Sequence, residues 1–134
     1  MLVKDFMTIN PQIVSPEDDT KVVFNLLLDN KIRQAPVVDK KKLVGIVTDR
    51  DLRMALIEDR TTPALSIKSV MSMNPVTVGG DTTIEEAARI IIEKKYNALP
   101  VVNSNKELIG ILTTSDIIEG FIDHIDSVDY KFWS

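Results

Sequence analysis

Moved by 64 positions, the chain falls on itself: Met7 meets Met71, Pro11 meets Pro75, Val14 meets Val78, Pro36 meets Pro100, and Val37-Val38 meets Val101-Val102. One extra residue in the second copy makes the shift 65 from there on, so that Gly45 meets Gly110, Thr48 meets Thr113 and Asp51 meets Asp116. This duplication constrains the fold more than any other feature. Each copy must be one supersecondary unit, and a unit of only ~60 residues cannot cover all its own apolar faces. We divide the chain into a first repeat over 1–60, a linker over 61–66 marked by Pro63 and small polar residues, a second repeat over 67–125, and a tail over 126–134.

The elements of each copy follow from hydrophobic period. After a proline comes a short β-prone segment, Ile13-Val14 and then Val76-Thr77-Val78. A helix follows, whose second copy carries Ile84, Ala87, Ala88, Ile91 and Ile92, the spacing of one helical face. Thr83 with Glu86 three residues later is a capping-box pattern at its start. In the first copy Thr20, Val23, Phe24, Leu27 and Leu28 hold the matching positions. Two β-branched runs separated by a short polar turn, 35–38 with 43–48 and 99–102 with 108–113, read as antiparallel hairpins. A second helix closes each unit, from about Arg50 to Glu58 and from about Ser115 to Ile125. The expected class is α/β in the α+β sense, two β-α-β-β-α units packed through their sheets as a pseudo-two-fold pair.

Several function classes fall away at this stage. The net charge is −4 and the basic residues are scattered, so no stripe exists for gripping nucleic acid. With no cysteine there is no disulfide, zinc-thiolate site or thiol nucleophile, which fits a reducing compartment, and the cytoplasm is expected. The longest apolar runs, such as Leu26–Leu28 and Ile90–Ile92, fall far short of the ~20 residues of a membrane helix. Lys4 and Asp5 interrupt any signal-peptide pattern after Met1, and the chain is expected to be soluble and unprocessed. There is no phosphate-binding Gly-Lys-Ser/Thr loop and no Ser/His/Asp set that chain order makes plausible, so no enzymatic activity is expected.

The chemistry gathers where the last strand of each unit meets its last helix, at Gly45-Ile-Val-Thr-Asp-Arg-Asp51 and Gly110-Ile-Leu-Thr-Thr-Ser-Asp116. Free N–H groups at a helix start attract phosphate, the threonine hydroxyl adds a hydrogen bond, and the Asp carboxylate can accept from the two hydroxyls of a ribose. A structural reading stands beside this one: Gly for close packing in a strand, Thr as a cap, and Asp at the positive end of the helix dipole.

Paired copies of Met-(x)3-Pro, Pro-Val-Val and Gly-x-x-Thr-x-x-Asp closing such a unit resemble the cystathionine-β-synthase-type (CBS) domain over essentially residues 1 to 125. The resemblance implies two clefts between the repeats, each a site for AMP, ADP, ATP or, after these, S-adenosylmethionine, with no cofactor required. One cleft would combine Thr113 and Asp116 with Ile13, Val14, Arg33, Gln34 and Ala35. The other would combine Thr48 and Asp51 with Val76, Val78, Asn97, Ala98 and Leu99. Only the first receives an arginine before the Pro-Val pair, Arg33, suited to bidentate phosphate binding, and that cleft is favoured, although Arg50 and Arg53 lie near the helix start of the other. An isolated arginine after a helix is more often a solvated or surface-paired charge.

The resemblance further implies a homodimer formed through helices, for which Leu52, Leu56, Ile117, Phe121 and Ile122 are candidates, and an effector protein of unknown identity. The leading function is therefore a nucleotide-responsive regulatory module. Its rivals are a ligand-free dimerisation or docking scaffold and the regulatory segment of a larger transporter or enzyme. Met7 and Met71 read as core fillers, and Lys40–Lys42 as a solvated turn. His124 has no second His or Cys to complete a metal set, and Asp123, Asp126 and Asp129 lack the glycine and glutamate of a calcium loop, so no metal site is expected. The tail Tyr130–Ser134 carries three of the chain's aromatics and is either a cover for the core or an interface anchor.

Overall fold

The computed structural model describes residues 1–58 and 65–133, with side chains described to 57 in the first stretch and to 127 in the second. A 3-10 turn at Val3–Asp5 leads into β1 (Thr8–Ile9), α1 (Thr20–Asp29), β2 (Gln34–Asp39), β3 (Lys42–Thr48) and α2 (Asp49–Glu58). The second copy repeats this order: a 3-10 turn at Ile67–Ser69, then β4 (Ser72–Met73), α3 (Ile84–Lys94), β5 (Ala98–Val102), β6 (Leu108–Thr113) and α4 (Thr114–Trp133). Each hairpin and one leading strand form a three-stranded sheet, and the two sheets with their four helices give the α+β arrangement expected for the pair.

The expected helices form where their stripes lie, and the structure trims the stripes. Thr20, Val23 and Leu27 of α1 are buried, as are Ile84, Ala87 and Ile91 of α3, while Phe24 and Ala88 are half-buried. The last position of each stripe turns outward, Leu28 at 53% and Ile92 at 74% exposure, because each helix meets only one sheet face. Thr83 caps α3 by accepting from the Glu86 N–H at 3.2 Å. The cap of α1 is Asp19, which accepts from the Lys21 N–H at 2.7 Å, and Thr20 is already helical.

The β-prone segments at Ile13-Val14 and Val76–Val78 form no ladder. Each contributes one parallel bridge, Val14 to Val37 and Val78 to Val101. The paired leading strands lie earlier, at β1 and β4, and they cross over. One sheet has the order β1-β6-β5 and the other β2-β3-β4, so each hairpin is completed by the strand that precedes the other repeat's helix. Thr8 lies opposite Ile111, and Ser72 opposite Ile46.

The exchange reaches beyond these strands. The Val3 N–H donates to the Thr82 carbonyl at 2.8 Å and the Lys4 N–H to that of Gly80 at 3.0 Å, while the Ile84 N–H donates back to Met1 at 3.0 Å. The other half matches it: Ile67 N–H to Asp18 at 2.8 Å, Lys68 N–H to Pro16 at 2.8 Å, and Thr20 N–H to Leu65 at 2.9 Å. Val3 is fully buried in the core of the second repeat with Ile84, Leu99 and Leu112, and Ile67 in that of the first with Val23, Leu27 and Val47. Each such burial is worth ~1.5–3 kcal/mol. Lys4 adds an ion pair to Asp81 at 3.0 Å, and this hydrogen-bonded carboxylate holds the ammonium above its usual pKa.

The methionines therefore fill the opposite repeat's core. Met7 packs against the second core and Met71 against the first, each over a glycine of the last strand. Phe6 covers Gly120 of α4 so closely that a side chain there would have to displace its ring. Of the linker, Thr61 to Ala64 lie outside the described residues, as do the side chains of the tail aromatics Tyr130, Phe132 and Trp133 and all of Ser134.

Candidate functional site

The two Gly-x-x-Thr-x-x-Asp passages start helices α2 and α4 as reciprocal caps. The Asp51 N–H donates to Thr48 Oγ1 at 3.0 Å, and the Thr48 N–H donates to Asp51 Oδ2 at 3.3 Å. In the other copy the Asp116 N–H donates to Thr113 Oγ1 at 3.1 Å, and the Thr113 N–H to Asp116 Oδ2 at 2.9 Å. The structural reading of the motif thus holds in both copies. It uses one carboxylate oxygen and leaves the other to decide what else the group does.

The two remaining oxygens differ. Asp116 Oδ1 accepts from the Thr8 hydroxyl at 3.1 Å, and that hydroxyl also lies 3.3 Å from Oδ2. Ser72 holds the corresponding place on β4, yet among the described residues no group donates to Asp51 Oδ1.

Two cavities lie between the repeats and share Gln34 and Asn97. The first, about 290 Å³, is lined by Ile46 and Thr48 of β3, by 72–76, by 95–98 with Pro100, and by Gln34. Its walls are mostly apolar (Ile46, Met73, Pro75, Val76, Ala98), with Tyr96 and Lys95 at the end of α3. This volume is near the lower end of the ~300–1,000 Å³ usual for small-molecule sites. The second, about 490 Å³, is lined by 31–34, Asn97 and 113–115. It is the more cationic, lined by Lys31 and Arg33 together with Thr113, Thr114 and Ser115.

Of the residues singled out in sequence, Thr48, Val76, Asn97 and Ala98 meet in the first cavity, with Asp51 bonded to Thr48. Arg33, Gln34 and Thr113 meet in the second, with Asp116 bonded to Thr113. The others lie elsewhere. Ile13 lines a separate space of about 340 Å³ with Lys41 and Glu107, and Val78 one of about 380 Å³ with Thr82 and Glu86. Val14, Ala35 and Leu99 are buried. Val14 and Val78 also spend their backbone groups on Pro36 and Val38, and on Pro100 and Val102.

Sequence reasoning missed Met73, Lys95, Tyr96 and Thr8. Met73 reaches the first cavity, and Thr8 reaches Asp116, only because the leading strands are exchanged. Lys95 ends α3 with a φ of 58°, and the reversal there turns Tyr96 toward the cavity. Among the described residues no three metal-ligating side chains cluster, and no helix is long and apolar enough to cross a membrane.

A family model for the CBS domain matches residues 3–58 and again 67–123. The inosine-5'-monophosphate dehydrogenase of Korarchaeum cryptofilum is 37% identical over 116 residues, 87% of this chain and 22% of that enzyme, so the chain spans about a fifth of its length. The crystal structure of CBSX2 in complex with AMP superposes with a TM-score of 0.81 at 32% identity, covering 91% of this chain and 96% of that one. CBSX2 is an Arabidopsis thaliana protein whose name places it in the chloroplast. The CBS domain pair of protein MJ0100, in complex with 5-methylthioadenosine and S-adenosyl-L-methionine, has a TM-score of 0.82 at 27% identity and covers 92% of this chain and 98% of that one.

Proposed function

This chain belongs to the CBS domain family as a tandem pair, and from that premise we propose that it is a regulatory module, not itself a catalyst, that binds an adenine nucleotide between its repeats. The observation that carries the reading is the 290 Å³ cavity beside a carboxylate with an oxygen to spare. A ribose diol needs an anionic acceptor, which Asp51 Oδ1 supplies. An adenine ring needs apolar walls, which Ile46, Met73, Val76 and Ala98 supply from both repeats. Lys95 and Asn97 would receive a phosphate. AMP is the first candidate, then ADP and ATP, then S-adenosylmethionine. The complexes of CBSX2 and of MJ0100 support this ligand class.

This choice departs from the preference that Arg33 suggested. Arg33 does face the second cavity, but the carboxylate beside it is already hydrogen-bonded to Thr8.

A ligand held by both repeats shifts an equilibrium by favouring one relative placement of them, and an effector protein reads that placement. A second copy of the chain is the partner we assign to the helices. Leu52 and Ile117 are buried and serve the cores, but α4 presents Ile118, Phe121, Ile122 and Ile125, and α2 presents Met54 and Ile57, all more than 40% exposed. Cysteine-free composition fits a reducing compartment, and we assign the cytoplasm.

Calorimetric titration with AMP, ADP, ATP and S-adenosylmethionine tests the reading. Asp51→Asn, which keeps an acceptor for the cap but removes the charge, should weaken AMP at least tenfold while leaving the fold intact. Absence of binding by all four ligands to folded, nucleotide-free protein would overturn the reading and favour a docking scaffold.

A further inference from the structure

The two halves of the pair carry the same Thr/Asp cap at their helix starts, yet one hydroxyl treats the two carboxylates differently. Thr8 and Ser72 occupy equivalent places on β1 and β4, opposite Ile111 and Ile46. Thr8 donates to Asp116 Oδ1 at 3.1 Å. The serine makes no such bond to Asp51 among the described residues, and Ser72 instead lines the first cavity beside Thr48. The difference has a rotameric origin. Two heavy atoms on Cβ restrict threonine at χ1, and with its backbone fixed by β6 its hydroxyl is held toward the carboxylate. Serine, unbranched, has no such restriction.

We infer that Thr8 is the residue that makes the two clefts unequal, by occupying with its own hydroxyl the acceptor that a nucleoside diol would need at Asp116. This rests on the reading of the clefts as nucleoside sites and adds to it an order of filling. A ligand entering the Thr113/Asp116 side must displace a hydrogen bond to a charged acceptor before making its own. A ligand entering the Thr48/Asp51 side meets an open oxygen. The same contact explains why the cationic lining of the second cavity, Lys31 and Arg33, does not by itself make it the stronger site. Affinities should differ by tenfold or more, the scale of one charge-assisted hydrogen bond.

The test is a titration with AMP of the wild type, Thr8→Val, Thr8→Ser and Ser72→Thr, each first shown to be folded by its urea midpoint. Valine keeps the branched shape and the pairing with β6 while removing the hydroxyl. The wild type should show one strong site per chain, and Thr8→Val a second site strengthened at least tenfold. Ser72→Thr should weaken the first site by a similar factor, and Thr8→Ser should fall between wild type and Thr8→Val. Two equal sites in the wild type, or a Thr8→Val isotherm matching the wild type, would overturn the role of Thr8 and leave the nucleotide reading standing. No AMP binding by any of the four proteins would overturn both.

Discussion

A methyl group added at Gly110 would stand 2.8 Å from Met7 Sδ and 2.8 Å from the Thr8 carbonyl oxygen, and one at Gly45 would meet Met71 and Ser72 at the same distances. The sulfur can shift, but the carbonyl belongs to a paired strand. Gly45→Ala and Gly110→Ala should therefore each cost roughly 1–3 kcal/mol, read from urea denaturation. Gly79→Ala, whose nearest new neighbour is Thr82 Oγ1 at 3.8 Å, should fall within ~0.5 kcal/mol of wild type. At this scale the sequence was half legible. Glycine as a close-packing residue and threonine as a cap could both be read from local spacing, since cap and carboxylate lie three residues apart. The partners of those residues could not. Thr8 and Asp116 are 108 positions apart, and no periodicity links a strand residue to a helix start at that range.

The helices and hairpins lie where hydrophobic period places them, because each has an apolar face long enough to repeat, except that α4 continues past the expected end at Ile125 to Trp133, through most of the segment expected as a tail. Where that face ends was not legible: Leu27 is fully buried and its neighbour Leu28 is 53% exposed, a division set by the sheet beneath. Leu27→Ala should cost about 2–5 kcal/mol in chemical denaturation, and Leu28→Ala no more than about 0.5. The opening strand was misplaced for a related reason, since a β-prone dipeptide says nothing of which sheet edge is free. The turn between β2 and β3 carries its own conflict. Lys40 and Lys41 sit at φ values of 49° and 69°, a two-residue hairpin turn that suits Asn-Gly far better. Lys40→Asn with Lys41→Gly should raise stability by roughly 1 kcal/mol, seen as a higher urea midpoint. Because the turn's neighbour Lys42 donates to the Asn105 carbonyl of the other hairpin turn, that gain should leave the contact between repeats unchanged.

At the scale of the molecule, the exchanged segments make the repeats mutually dependent. Val3, Phe6 and Met7 serve the second core, and Ile67, Val70 and Met71 the first. A fragment spanning 65–134 should thus be largely unfolded by circular dichroism and should gain structure when a peptide of residues 1–12 is added in excess. A fragment that folds fully alone would show that the exchange is an accessory. The arrangement also orders events during synthesis. Val3, Phe6 and Met7 are made about a hundred residues ahead of their sheet partner β6 and of the α4 surface over Gly120. With translation at ~5–20 residues per second, the N-terminal segment waits roughly 5–20 s with its apolar side chains unmatched. For the first half of that interval the first repeat also lacks Ile67, and throughout it the segment around Val3 lacks its partners, the state in which a chaperone, or another nascent copy's second repeat, has its chance to bind.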